Sequence, residues 1–144
     1  MNYTLSYLNT NKLRYFMKLI VLLLSFSSLA FSQINIISDN KQLKSMTITK
    51  KELADLYLKK THAIRGIRVI PLDNKSNFQE FYQQIVKKSP KELRAYWARE
   101  MYKSDRLPPQ KLSIQQIKAM IKSNKNYISY SSSSISGASI IAVR

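Results

Sequence analysis

Cysteine is absent from the 144 residues, histidine occurs once and glycine twice. Without cysteine there is no disulfide, no thiolate zinc site, no Cys nucleophile and no lipid attached at a thiol. A single imidazole, His62, excludes a multi-histidine metal centre and any relay that needs two rings; its place in the Lys59-Lys-Thr-His62 turn reads as surface. Two glycines cannot build a glycine-rich phosphate loop. Acid is scarce too: 8 Asp and Glu stand against 24 Lys and Arg, a formal charge of +16. Glu52, Glu80, Glu92 and Glu100 each sit among helical charges, and no two carboxylates have a spacing suited to hydrolysis. The expectation is a protein that is not an enzyme, with no cofactor and no metal. What is plentiful is apolar: 44% of the residues are hydrophobic, which argues against disorder. The length allows one domain, or one domain with a targeting segment.

Residues 1–32 differ from the rest. They hold no acid, and Lys12, Arg14 and Lys18 precede the apolar run Leu19–Phe26, followed by small residues through Ser28-Leu-Ala30. That is the layout of a secretory signal peptide. The run is shorter than the ~20 residues a membrane span needs. Cleavage fits after Ala30 or after Ser32; the second lets Gln33 lead directly into a strand. Met17-Lys18 reads as a better start, which would make residues 1–16 a misassigned extension. Residues 33–144 keep 21 Lys and Arg against 8 acids. A domain of that size buries about 65% of its unfolded surface, enough for one modest core. A small exported domain without disulfides fits a bacterial periplasm.

Residues 33–144 alternate strand and helix patterns. Ile34–Ile37 is β-rich. Thr49 with Glu52 forms a capping box for a helix over 50–58, with Leu53, Leu56 and Tyr57 inward. Ile67–Ile70 reads as a strand closed by Pro71, and Asp73–Asn77 as turn chemistry. Phe78, Phe81, Tyr82 and Ile85 have helical spacing. Ser89 caps the next helix, with Pro90 first and Glu92 completing a box; Leu93, Tyr96, Trp97 and Met101 make its apolar stripe. Leu107-Pro-Pro109 must leave that helix. Ser113 caps Ile114–Ser123, with Ile117, Met120 and Ile121 inward, and Tyr127–Tyr130 and Ser139–Val143 are the last strands. The order β-α-β-α-α-α-β-β predicts a small three-layer α/β domain.

Several ordered pieces are familiar: Leu53-Ala-Asp-Leu-Tyr-Leu-Lys-Lys60, Gly66-Ile-Arg-Val-Ile-Pro71, Glu80-Phe-Tyr82, Ser89-Pro-Lys-Glu-Leu-Arg-Ala-Tyr-Trp97, Arg106-Leu-Pro-Pro109 and Asn126-Tyr-Ile-Ser-Tyr130. In this order they resemble the phosphate-type solute-binding proteins of ABC uptake systems, and more closely their short single-domain relatives. The resemblance implies a single three-layer lobe of the type II periplasmic-binding-protein kind, a periplasmic location, phosphate or a related oxyanion as ligand, and an ABC permease or another envelope protein as partner. It departs from the family at the anion loop. Ser76 matches the family's serine, but Leu72 stands where its arginine falls, Asn77-Phe78 replace Gly-Thr, and glycines are replaced at Lys60 and Ser129. Family members close two lobes over the anion; a homodimer could in principle supply the second lobe here.

Asn74, Lys75, Ser76 and Asn77 are the candidate ligand-binding residues. They open a helix, where unpaired amides and the dipole favour an anion; the Ser76 hydroxyl can donate, and Lys75 adds charge. The alternative for the same residues is an ordinary capping loop, with Asp73 beside it repelling a dianion. Two functions stay open. One is capture of a small oxyanion, whole or degenerate. The other is a basic envelope module that binds an acidic polymer or protein, with Arg94 and Arg99 flanking Tyr96-Trp97. An exported protein is not expected to meet nucleic acid.

Overall fold

The computed structural model describes residues 33–135 and 138–144. Residues 1–32, expected to be a signal peptide, lie outside the described residues. The elements run β1 (Asn35–Ser38), α1 (Lys41–Lys44), β2 (Thr47–Ile48), α2 (Lys50–Tyr57), β3 (Ala63–Ile64), β4 (Ile67–Arg68) and β5 (Ile70–Asn74). A 3-10 turn (Lys75–Asn77), α3 (Phe78–Phe81) and a π-helical turn (Tyr82–Val86) follow, then α4 (Pro90–Ser104), β6 (Gln110–Leu112), α5 (Ile114–Ser123), β7 (Tyr127–Ser131) and β8 (Ser139–Val143).

Six strands form one mixed sheet in the order β2-β8-β1-β7-β5-β6; β3 and β4 are a separate hairpin. β1 runs antiparallel to β7 and β8, whereas β5 runs parallel to both β6 and β7. Strand alternation sends Ile36, Ile128, Tyr130 and Ile141 to one face, where they pack with α2, α3, the π turn and the start of α4. Ile37 and Leu72 face the other side and meet Ile117 and Ile121 of α5. The result is the three-layer α/β arrangement expected of the sequence. Among the described residues, no helix is long and apolar enough to cross a membrane.

The two expected capping boxes are present, and the expected cap at Ser113 proves to be a third. Thr49 pairs with Glu52, Ser89 with Glu92 and Ser113 with Gln116, each side chain meeting the other's backbone N–H. Pro90 occupies the first turn of α4, where its missing N–H is not needed.

Four expectations change. Pro71 lies inside β5 rather than ending a strand. The Ile70 N–H donates to the Asn126 carbonyl on the β7 side, so the nitrogen of Pro71 faces the β6 side, and β6 pairing begins only at Leu72. No ladder donor is needed there. Asp73 and Asn74 are the end of that strand, not a turn. β6 itself, β2 and the short α1 are additions to the expected order. Met101, placed on the inward stripe of α4, is 47% exposed. With glycine so scarce, four of the five left-handed backbone positions among the described residues fall on Lys59, Arg65, Lys87 and Asp105, and the fifth on Gly66. The one at the end of α2 is Lys59, a residue before the Lys60 position suggested by the family pattern.

Candidate functional site

Parallel strands leave their loops and following helices at one end of a sheet, and ligands settle where neighbouring strands send those connections to opposite faces. β5 and β6 meet this condition. The chain leaving β5 passes into α3 and α4 on the Ile36 face, and the chain leaving β6 passes into α5 on the Leu72 face. Asn74 pairs with Leu112 at the ends of the two strands, which brings Lys75 and Ser113 next in register.

The four sequence candidates all lie at this end, and they divide into two pairs. Asn74 and Asn77 are engaged within the protein. The Oδ1 of Asn74 accepts from the Ser76 N–H at 3.0 Å, and its Nδ2 donates to the Tyr130 carbonyl at 3.0 Å. Asn77 accepts from the Ser132 N–H at 3.2 Å and donates to the Ser132 hydroxyl at 3.0 Å and to Glu80 at 3.2 Å. Together they tie the end of β5 to the end of β7. Lys75 and Ser76 are exposed, and among the described residues neither side chain has a hydrogen-bond or ion-pair partner. Within the 3-10 turn of residues 75–77 the Ser76 N–H is thus taken by the Asn74 side chain. What remains outward is the Ser76 hydroxyl and the Lys75 ammonium.

Asp73, the neighbour expected to repel an anion, points to the other side of the strand. It is 1% exposed and accepts hydrogen bonds from Tyr130 Oη at 3.0 Å and Tyr82 Oη at 3.2 Å. Burial pushes its carboxyl up to about 7, although both tyrosines and the positive charges of Lys111 and Lys59 oppose the shift. Burial and the nearby Asp73 charge in turn raise the Tyr82 and Tyr130 hydroxyls well above their ordinary range. An aromatic cluster surrounds this group: Phe81 stacks on Tyr130 with centroids 3.8 Å apart, and Tyr57 lies 4.5 Å from Phe81. Sequence reasoning missed Asp73 because Asp-Asn before Lys-Ser reads as a turn. The signal was alternation, since Pro71 and Asp73 share the face that Tyr130 occupies on β7.

The remaining sequence candidates take ordinary places. His62 is exposed. Trp97 is buried against α4's neighbours, and Tyr96 donates to the Leu58 carbonyl at 2.7 Å, with the Lys88 and Arg99 cations 5.7 and 5.6 Å from its ring centroid. Among the described residues no group of three or more His, Cys, Asp or Glu side chains is placed to hold a metal.

No family model matches this sequence, and no curated protein matches it. Solved structures do. A protein from Clostridium perfringens, assigned as a phosphate ABC transporter substrate-binding protein and solved with bound phosphate, aligns over 76% of this chain and 44% of its own, with 19% identity and a TM-score of 0.53. An ABC-type phosphate transport receptor from Vibrio cholerae aligns over 76% of this chain and 45% of its own, at 10% identity and a TM-score of 0.45. The chain thus spans less than half the length of either. At 19% identity the likeness to the Clostridium perfringens protein concerns the fold: this chain is a mixed α/β lobe with a central sheet, as in periplasmic-binding-protein-like structures.

Proposed function

We propose that this chain is an exported solute-binding-type lobe that takes a small oxyanion, phosphate or a relative, at the carboxyl ends of β5 and β6. The observation that carries the reading is the turn after β5. It sits where the connections of neighbouring strands part, and it presents the Ser76 hydroxyl and the Lys75 ammonium outward while Asn74 and Asn77 hold the backbone still. The hydroxyl would donate to an anion oxygen and the ammonium would supply charge. The burial of Asp73 on the other face removes the nearest repulsive carboxylate from the turn. The phosphate bound in the Clostridium perfringens structure supports the choice of ligand. The signal-like layout of residues 1–32 supports export to a periplasm, and the fold likeness to the Clostridium perfringens transport protein supports an ABC permease as partner. Two outward groups without a guanidinium make a weak site.

Thermal unfolding in phosphate, sulfate and chloride series at equal ionic strength tests this. A ligand at 100 times its dissociation constant adds ~2.7 kcal/mol, which moves the midpoint of a domain this size by roughly 10 °C. The expected result is a saturating shift with phosphate that chloride does not reproduce and that Ser76→Ala removes. A shift that never saturates and is shared by sulfate and phosphate would be salting alone and would end the proposal.

A second reading rests on charge. Of the 21 Lys and Arg side chains in residues 33–144, six form ion pairs among the described residues: Lys44, Lys51, Lys60, Arg65, Arg99 and Arg106. The rest present a positive field suited to an acidic polymer or protein. Binding that falls steeply with salt and ignores phosphate would support this reading over the first.

A further inference from the structure

On the Ile36 face of the sheet, α4 and the start of α3 border a groove of about 810 Å³. One stripe of α4 forms its wall: Leu93, Arg94, Trp97 and Met101, at successive helical spacings. Phe78 and Pro109 face that stripe, and Asp73 and Lys111 lie on neighbouring strands at the base. The lining is predominantly apolar, and the volume falls within the ~300–1,000 Å³ of organic-ligand sites. It is far larger than an inorganic oxyanion requires. Met101 is left half exposed here although it continues the stripe that buries Leu93 and Trp97.

The charges in the groove are unequal. Asp73 is already met by two tyrosine hydroxyls. Lys111 lies over the Phe78 ring, 3.3 Å from its centroid, and neither Lys111 nor Arg94 enters an ion pair among the described residues. An apolar trough bordered by two cations that form no ion pair among the described residues is complementary to a molecule with an apolar body and one negative end. We propose that this groove binds an amphipathic organic anion, an acyl or aryl body ending in a carboxylate, with the body along α4 and the carboxylate taken by Lys111 and Arg94. This site is distinct from the Ser76 turn and stands or falls without it.

Trp97 is the sole tryptophan of the chain and lines the groove, so its emission reports occupancy directly. The purified chain is titrated with decanoate below its micellar concentration, with decanol and inorganic phosphate as controls. The expected result is a saturable change in Trp97 emission with decanoate and none with phosphate. Decanol should bind about tenfold more weakly or worse, as should decanoate to the double variant Lys111→Met with Arg94→Gln, the size of effect one lost charged contact gives. Ala98→Phe, which adds bulk at an exposed groove position without touching the core, should abolish the response while the circular dichroism stays unchanged. Ser76→Ala should leave it intact. No saturable response, equal affinity for decanol, or indifference to the Lys111 and Arg94 changes would overturn the proposal; the charge variant alters only exposed side chains and decides the matter even if Ala98→Phe fails to fold.

Discussion

Four helical starts in this protein follow the same rule with different outcomes. At Thr49, Ser89 and Ser113 the cap and the third helical residue satisfy each other, so the cap's side-chain oxygen, the partner's carboxylate or amide, and the backbone N–H of both residues are engaged. After β5 the cap is Asn74, and it does two things at once. Its carbonyl oxygen takes the Ser76 N–H, and its amide reaches across to β7. That arrangement leaves the serine of the turn unpaired. A serine in a closed box is structural, whereas a serine held in place by its neighbours and free at its own hydroxyl is available to a ligand. The same residue type at a helix start therefore has two meanings, and only its hydrogen bonds tell them apart.

The strongest way to probe the region behind the open turn is through pH. Asp73 titrates at about 7 in the folded chain against ~3.9 unfolded, so folding takes up a proton between those values. Its stabilising contribution is complete below pH ~4 and is lost as pH rises through about 7. At ~1.36 kcal/mol per unit the loss is about 4 kcal/mol. Asp73→Asn should flatten this limb of the stability–pH profile between pH 4 and 8 and raise stability at pH 8, as read by urea unfolding. Glu52 runs the other way. Hydrogen bonds from Arg65 and the Thr49 amide hold its carboxyl down to about 2, so its contribution is present above ~4.3 and fades as pH falls toward 2. The acid limb should survive in Asp73→Asn.

Next in size is the direct contrast of caps. Asn74→Ala removes a buried cap and leaves the Tyr130 carbonyl without its donor; a loss of about 2–3 kcal/mol is expected, with the phosphate response gone. Ser89→Ala opens an exposed box and should cost about 1 kcal/mol, with the phosphate response intact. Equal effects on that response from the two variants would erase the distinction between open and closed starts. The smallest expected effect sharpens the picture of the segment between them. Lys87 closes the π turn in the left-handed region, where a residue with a Cβ is disfavoured by ~1–2 kcal/mol. Lys87→Gly should raise stability by about 0.5–1 kcal/mol once glycine's greater unfolded entropy is counted, measured by the same unfolding curves.

The closed caps were legible in the sequence because their chemistry is local: Thr or Ser, then Glu or Gln three residues on. Long helices and hydrophobic strands were legible for the same reason. β6 was not, because Gln110-Lys-Leu112 has no alternation of its own and becomes a strand only by lying beside Leu72–Asn74. Pro71 reads as a stop unless the position of β6 is known, since only its late start makes a proline tolerable there. Asp73 reads as a turn residue because nothing in its neighbours reveals the tyrosines at 82 and 130 that receive it. The four candidate residues 74–77 lie together at the end of β5, but the division of labour among them depends on Ser132 and Tyr130, more than fifty positions away. Of the left-handed positions among the described residues, only Gly66 carries a glycine to announce it.

The central claim is that the turn after β5 is open to an anion and the capped helix starts are not. Nitrogen–proton NMR spectra of the chain during a phosphate titration test it within one sample. The account predicts saturating shifts at the amides of Lys75, Ser76 and Asn77, with the amides of Glu92 and Gln116 in the closed boxes standing still. Shifts of the same size at all of these amides, or none at the turn, would contradict it.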